Sequence, residues 1–197
     1  MKNFLSEVDY NFYTKSRNIQ IPAGKCIFTN NGFFGDEPDT EIKQNITHIT
    51  TRSSIKLQKY KFSDYPKLHY FDCDAELPNI SFEKLNNLKV LKIQNAHVKT
   101  KKLQNLPNIE ILIFSNIIDI FFVTNMSKYK FMLDNLPNTL NTIIFDGFGD
   151  IDGEDVESYN NCEIIQFLEK KMSLQKLPFG CKTYFIDYDN KVYTITN

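Results

Sequence analysis

A chain of 197 residues with 42% hydrophobic side chains fits one domain, or two small ones, and can fill a continuous core. Its 23 basic and 24 acidic side chains leave a formal net charge of -1. That balance supplies no field to draw the whole molecule to nucleic acid or an anionic membrane, and it leaves room only for a local charged patch.

Met1 to Tyr10 contain Glu7 and Asp9, which interrupt any apolar stretch of the secretory kind. The longest apolar candidate, Ile109 to Val123, is broken by Glu110, Ser115, Asn116 and Asp119 and falls short of a membrane span. The expectation is a cytoplasmic protein with no membrane partner. Cys26, Cys73, Cys162 and Cys181 are scattered, with no CxxC pair and no histidine at zinc spacing, so reduced thiols and no cofactor are expected. Residues 1–42 do not repeat: Asn18 to Pro22 and Cys26 to Phe28 read as short strands around a turn near Gly24, and Asn30-Asn31-Gly32 with Gly35 to Pro38 read as surface loop. The segment is expected to act as an N-terminal cap.

From residue 43 onward apolar positions recur. Leu88, Leu91 and Ile93 are matched 21 residues later by Ile109, Leu112 and Phe114, with Asn95 and Asn116 at equal offsets. Leu68, Phe71 and Cys73 lie 20 residues earlier, and Ile46, Ile49 and Thr51 another 22 back. Leu140, Ile143 and Phe145 follow after 31, and Cys181, Tyr184 and Ile186 after 41. Tyr65-Pro66, Leu106-Pro107, Leu136-Pro137 and Leu177-Pro178 precede the triplets, where proline suits a turn leading into a strand. Stacked units of about 20 residues would bury together what one cannot bury alone.

This spacing resembles the leucine-rich repeat superfamily. The run Leu136-Pro137-Asn138-Thr139-Leu140-Asn141-Thr142-Ile143-Ile144-Phe145 is similar to the divergent FNIP-type repeats of giant viruses and slime moulds. The resemblance implies an α/β solenoid over residues 43–197, a parallel-sheet horseshoe of about six coils with irregular arcs. It also implies a protein-binding scaffold without catalytic residues, in the host cytoplasm if the chain is viral.

Two insertions interrupt the spacing, near 117–134 and 147–174. The first is rich in Ile, Phe and Met and needs burial in an arc or against a partner. The second opens with Asp150, Asp152, Glu154, Asp155 and Glu157 and continues with Ile164, Ile165, Phe167 and Leu168 at helical spacing. Asp150-x-Asp152-Gly153 invites a calcium reading but lacks the twelve-residue order of an EF-hand, so a solvated helix start is preferred.

Strand alternation then assigns an outward face. Its middle is apolar, and Tyr70, Val90, Lys92, Ile111, Ile113, Ile144 and Phe185 are the candidate partner-binding residues, for another protein or for self-association. The sequence leaves open whether this strip is exposed or covered by an insertion or by the N-terminal segment. Arg52, Asp72, Asp74, Asp146 and Asp187 surround it. His48, His69 and His97 do not converge, and no GxSxG, HExxH or phosphate-cradling glycine loop occurs, so no enzyme is expected and a hydrolase is the weakest reading. Lys56, Lys59 and Lys61 with Lys99, Lys101 and Lys102 offer a modest basic stripe. A nucleic-acid-associated or virion structural role is therefore the alternative to partner binding.

Overall fold

The computed structural model describes residues 5–14, 19–29, 40–51, 61–74, 85–94, 106–115, 136–148, 177–187 and 190–196. The strands are β1 (Leu5–Thr14), β2 (Ile19–Thr29), β3 (His48–Thr51), β4 (Tyr70–Asp74), β5 (Val90–Gln94), β6 (Ile111–Ser115), β7 (Thr142–Phe148), β8 (Lys182–Asp187) and β9 (Val192–Thr196). They form a single nine-stranded sheet whose spatial order is the chain order. Strands β2 to β8 run parallel, and β1 and β9 fold back antiparallel at the two edges. The helix among the described residues, α1 (Thr40–Asn45), spans six residues, and a 3-10 turn covers Phe62–Asp64.

These features correct the expected solenoid. The sheet is open, mixed in strand direction and neither closed nor curled, with one short helix among the described residues, which is not a leucine-rich-repeat horseshoe. The physical reason lies in what a recurring triplet specifies. Leu91 pairs with Leu112 and Ile93 with Phe114 in neighbouring parallel strands, so the spacing marks strands that lie side by side. Any open parallel sheet wound in chain order produces the same spacing, and antiparallel edge strands are no part of a uniform coil. The first insertion, the second from residue 149 onward with its acidic run, Asn95 and Asn116 lie outside the described residues, while Gly147 and Phe148 end β7.

Each strand alternates between two faces. One face carries Phe71, Leu91, Leu112 and Ile143 in one row and Cys73, Ile93, Phe114, Phe145 and Phe185 in the next, all fully buried. Phe145 stacks between Phe114, 5.2 Å away, and Phe185, 4.7 Å away, with ring planes 11° and 6° from parallel. Leu68, Leu88, Ile109, Leu140 and Cys181, just before their strands, close the same core. Turns hold those anchors: Leu68 N–H donates to Tyr65 O, Leu88 N–H to Leu85 O, and Leu140 N–H to Pro137 O.

The last parallel strand departs from the pattern by one residue. From Leu68, Leu88, Ile109 and Leu140 the strand begins two residues on, whereas from Cys181 it begins at the next residue, Lys182. Thr142 N–H and Asn141 N–H both reach Glu110 O, but at β8 Lys182 N–H meets Asn141 O. A slip of one residue exchanges the faces of a strand. Hence Tyr184 and Ile186 lie opposite Ile144 and Asp146, and Phe185 lies opposite Phe145, the reverse of the sequence-based assignment. The turn that absorbs the shortening is Pro178-Phe179-Gly180-Cys181, closed by Cys181 N–H to Pro178 O, with Gly180 at φ 77° as a type II turn requires.

At the other edge, the β1–β2 hairpin runs past the ends of its neighbours, with a register shift between Tyr10 and Phe12. Its far end, around Phe12 and Ile21, packs on the second face of the sheet. Gly24 permits this close approach, because a Cβ there would collide with the Thr47 hydroxyl and the His48 ring. Gly24→Ala is expected to destabilise the fold by about 1–3 kcal/mol, the usual range for overpacking. A thermal melt checks this, and an unchanged midpoint would show that the hairpin is not seated as described.

Candidate functional site

The second face grades from polar to apolar across the sheet. Its central row runs Thr50, Asp72, Lys92, Ile113, Ile144, Tyr184 from β3 to β8. The row before it holds His48, Tyr70, Val90 and Ile111, and the row after it Gln94, Ser115, Asp146 and Ile186. Tyr70, Val90, Ile113, Ile144, Tyr184 and Ile186 form one buried cluster with Ile21, against which Phe12, Ile19 and Ile111 pack. The hairpin thus roofs part of this face.

Between roof and floor lies a cavity of about 260 Å³. Tyr70, Ile113, Ile144 and Ile186 supply its floor, and Phe12, Tyr13, Thr14 and Ile21 its hairpin wall. Two charged side chains reach it, Lys92 and Asp146, and Asn190 borders it from the β8–β9 turn, where its φ of 64° places it in the left-handed region. Asparagine tolerates that conformation better than most residues.

Polar groups on this face are organised around Asp72, which is 3% exposed. Gln94 Nε2 donates to both carboxylate oxygens, at 2.7 and 2.8 Å, and Lys92 Nζ stands 3.8 Å from Oδ2. A buried carboxylate needs such compensation, and here the amide and the ammonium provide it. Lys92 is held at the cavity margin by this pair. The Ser115 hydroxyl, on the strand between Gln94 and Asp146, is buried with no hydrogen-bond partner.

At the polar end the His48 ring is 1% exposed. Phe12 stacks on it with centroids 5.1 Å apart, Tyr70 lies 5.4 Å away, and Phe12 and Tyr70 stack on each other at 4.5 Å. Thr47 Oγ1 donates to Lys25 O and lies 2.7 Å from His48 Nδ1. The 2.7 Å contact can run in either direction, since a neutral ring carries one proton and the hydroxyl can donate or accept, and Nε2 is buried without a partner. Burial pulls the His48 pKa from 6.5 down to about 4; the Pro22 carbonyl opposes the shift and His69 adds to it.

Four of the seven residues read from the sequence, Tyr70, Lys92, Ile113 and Ile144, line the cavity. Val90 is buried in the cluster beside it, and Ile111 is half-buried against that cluster. Phe185 is fully buried on the opposite face. The strip is therefore core and cavity floor rather than an open sheet surface, a choice that the sequence left open. Phe12, Tyr13, Thr14, Ile21 and Asn190 were not identified from the sequence, because their role depends on a hairpin that doubles back over the sheet. Arg52, His97, Lys56, Lys59, Lys99, Lys101 and Lys102 lie outside the described residues, and Lys61 is exposed.

His48 is buried, while His69, near enough to act on it electrostatically, is exposed with Nδ1 against Lys67 O. Among the described residues no group of three or more His, Cys, Asp and Glu could hold a metal ion, and no helix is long and apolar enough to cross a membrane. Cys73 and Cys181 are buried thiols, and burial pushes the Cys181 thiol up to about 11, away from reactive thiolate character.

No family model matches the chain, no curated protein is similar to it, and no solved structure matches it. The resemblance to leucine-rich and FNIP-type repeats is corrected by these findings together with the open, mixed sheet, and the viral and repeat-scaffold associations fall with it. Nothing favours the nucleic-acid or virion alternative.

Proposed function

We propose that the chain is a binding module for a small molecule with both apolar and polar parts, received between the hairpin end and the sheet. One observation carries this reading: an apolar floor of Ile113, Ile144 and Ile186 converges, among the described residues, with two charged side chains, Lys92 and Asp146, on one cavity. Apolar contact surface together with a few placed polar groups is what orients a ligand in such a site. The cavity, at about 260 Å³, is just below the ~300 Å³ lower end for such sites, which favours a compound of one ring or a short branched chain. Lys92 suits a carboxylate or carbonyl on that compound, and Asp146 an amine or hydroxyl.

The test uses isoleucine methyl NMR with a set of single-ring carboxylic acids and amines. Binders are expected to move the methyl signals of Ile113, Ile144 and Ile186. Lys92→Met is expected to weaken the acids about tenfold, a loss of about 1.4 kcal/mol, and Asp146→Asn to weaken the amines. Signals that stay fixed across the set, or binders indifferent to both substitutions, would sink the reading.

A further inference from the structure

Beyond ligand binding, the roof of the cavity is itself conditional. We infer that neutral His48 holds the hairpin end down over the sheet, and that protonating its ring releases that end and widens the cavity.

The inference starts from the stack. Phe12 is the hairpin residue that touches both His48 and Tyr70, and it also lines the cavity, as Tyr70 does. One ring on the hairpin, one on β3 and one on β4 thus tie roof to floor. Behind the histidine, Gly24 brings the β2 backbone so close that not even a Cβ fits between them. The ring is 1% exposed, so a charge formed there must remain dry or move the hairpin.

The charge would arise on a ring with little around it to offset it. Thr47 Oγ1 lies 2.7 Å from Nδ1, and Nε2 is buried without a hydrogen-bond partner among the described residues. Among the described residues, the groups that act on the ring from the elements around it are few. From β2 the Pro22 carbonyl favours the cation, and ahead of β4 His69 opposes it once charged. Asp72, one row along on β4, is already engaged by Gln94 and Lys92. Thr47 and Tyr70, the nearest neighbours on β3's flank and on β4, carry no charge at acid pH. Burial holds the folded-state pKa near 4, which supports the same direction: the closed roof and the protonated ring exclude each other.

The hinge side is also in place. The register shift between Tyr10 and Phe12 breaks the β1–β2 ladder where the hairpin end leaves the sheet. The hairpin end can therefore lift while the ladder from Leu5 to Tyr10 stays paired with β2.

Hydrogen exchange read residue by residue between pH 7 and pH 3.5 tests this, with protection factors corrected for intrinsic rates. In the native chain the amides of Phe12, Tyr13, Thr14 and Ile21 are expected to lose at least tenfold of their protection over that range, while those of Leu91 and Leu112 keep theirs. In His48→Gln and His48→Phe the hairpin is expected to hold its protection throughout. An equal loss in the variants would assign the effect to carboxylates, and a parallel loss at Leu91 and Leu112 would mean global unfolding; either overturns the inference. Should both variants fail to fold, the native His48 ring signals decide. A midpoint well below the ordinary value of about 6.5, coincident with hairpin release, supports it, and an ordinary midpoint with a closed hairpin overturns it. Ligand-induced methyl shifts at pH 7 are read separately, so failure of the binding reading leaves this result distinct.

Discussion

Replacing Phe145 by alanine is expected to remove about 3–5 kcal/mol of stability, the range for deleting a buried phenyl group. The ring is 1% exposed and sits in the middle of three parallel rings, so its loss opens a void that neither Phe114 nor Phe185 can fill without leaving its own strand position. Stacked pairs add about 0.5–1.5 kcal/mol beyond area burial, which places the effect toward the upper end. Urea denaturation should show a lower midpoint with an unchanged slope, since the surface exposed on unfolding is nearly the same. Phe145→Leu should cost much less. A second substitution, Phe114→Ala, should cost less in the Phe145→Ala background than alone, because the contact they share is already gone. A loss below about 1 kcal/mol would show that this face is not a close-packed core.

Acidification is expected to produce the other large effect. His48 titrates near 4 in the folded chain and at 6.5 when unfolded. The unfolded chain therefore binds more protons between those values, and stability falls as pH drops through that window. The contribution is fully present above pH 6.5 and lost by about pH 4, where both forms are protonated. At 1.36 kcal/mol per unit the loss amounts to about 3 kcal/mol at most, and to less if the hairpin end opens locally before the sheet does. Denaturation at pH 7, 5.5 and 4.5 checks the slope, and His48→Gln serves as the reference that subtracts the carboxylates. Equal slopes in the two chains would contradict the burial described for this ring.

Reading the strands from the sequence worked where one face dictated the pattern. Leu91 and Ile93, or Leu112 and Phe114, are apolar at alternate positions because those side chains enter the same core, and they pair in register. What the spacing did not contain was the architecture. A 20-residue interval reports that strands are neighbours, and it is silent on whether the sheet curls or ends in antiparallel strands. The β8 frame failed for a local reason: Cys181 aligns with Leu140 through its turn, yet the following strand starts one residue sooner. The covering of the strip was partly legible. Ile111-Leu112-Ile113-Phe114 is apolar without interruption, the mark of a strand buried on both faces. Its cover came from Phe12 and Ile21, whose alternation in a long hairpin carries no sign of where the hairpin turns back. Lys92 and Asp146 were legible as charges near the strip, whereas the enclosure that gives them a role depends on that hairpin.

The agreement between spatial and chain order has a kinetic side. Each strand from β2 to β9 needs only its predecessor to pair, so assembly can advance by closures of modest loops rather than by bringing distant segments together, a condition that favours rapid folding. The hairpin end is the exception. Ile21 shares a cluster with Ile113, Ile144 and Ile186, which lie 92, 123 and 165 residues further along the chain. Its docking must wait until β6, β7 and β8 are in place, so a segment that precedes those strands in the chain settles after them.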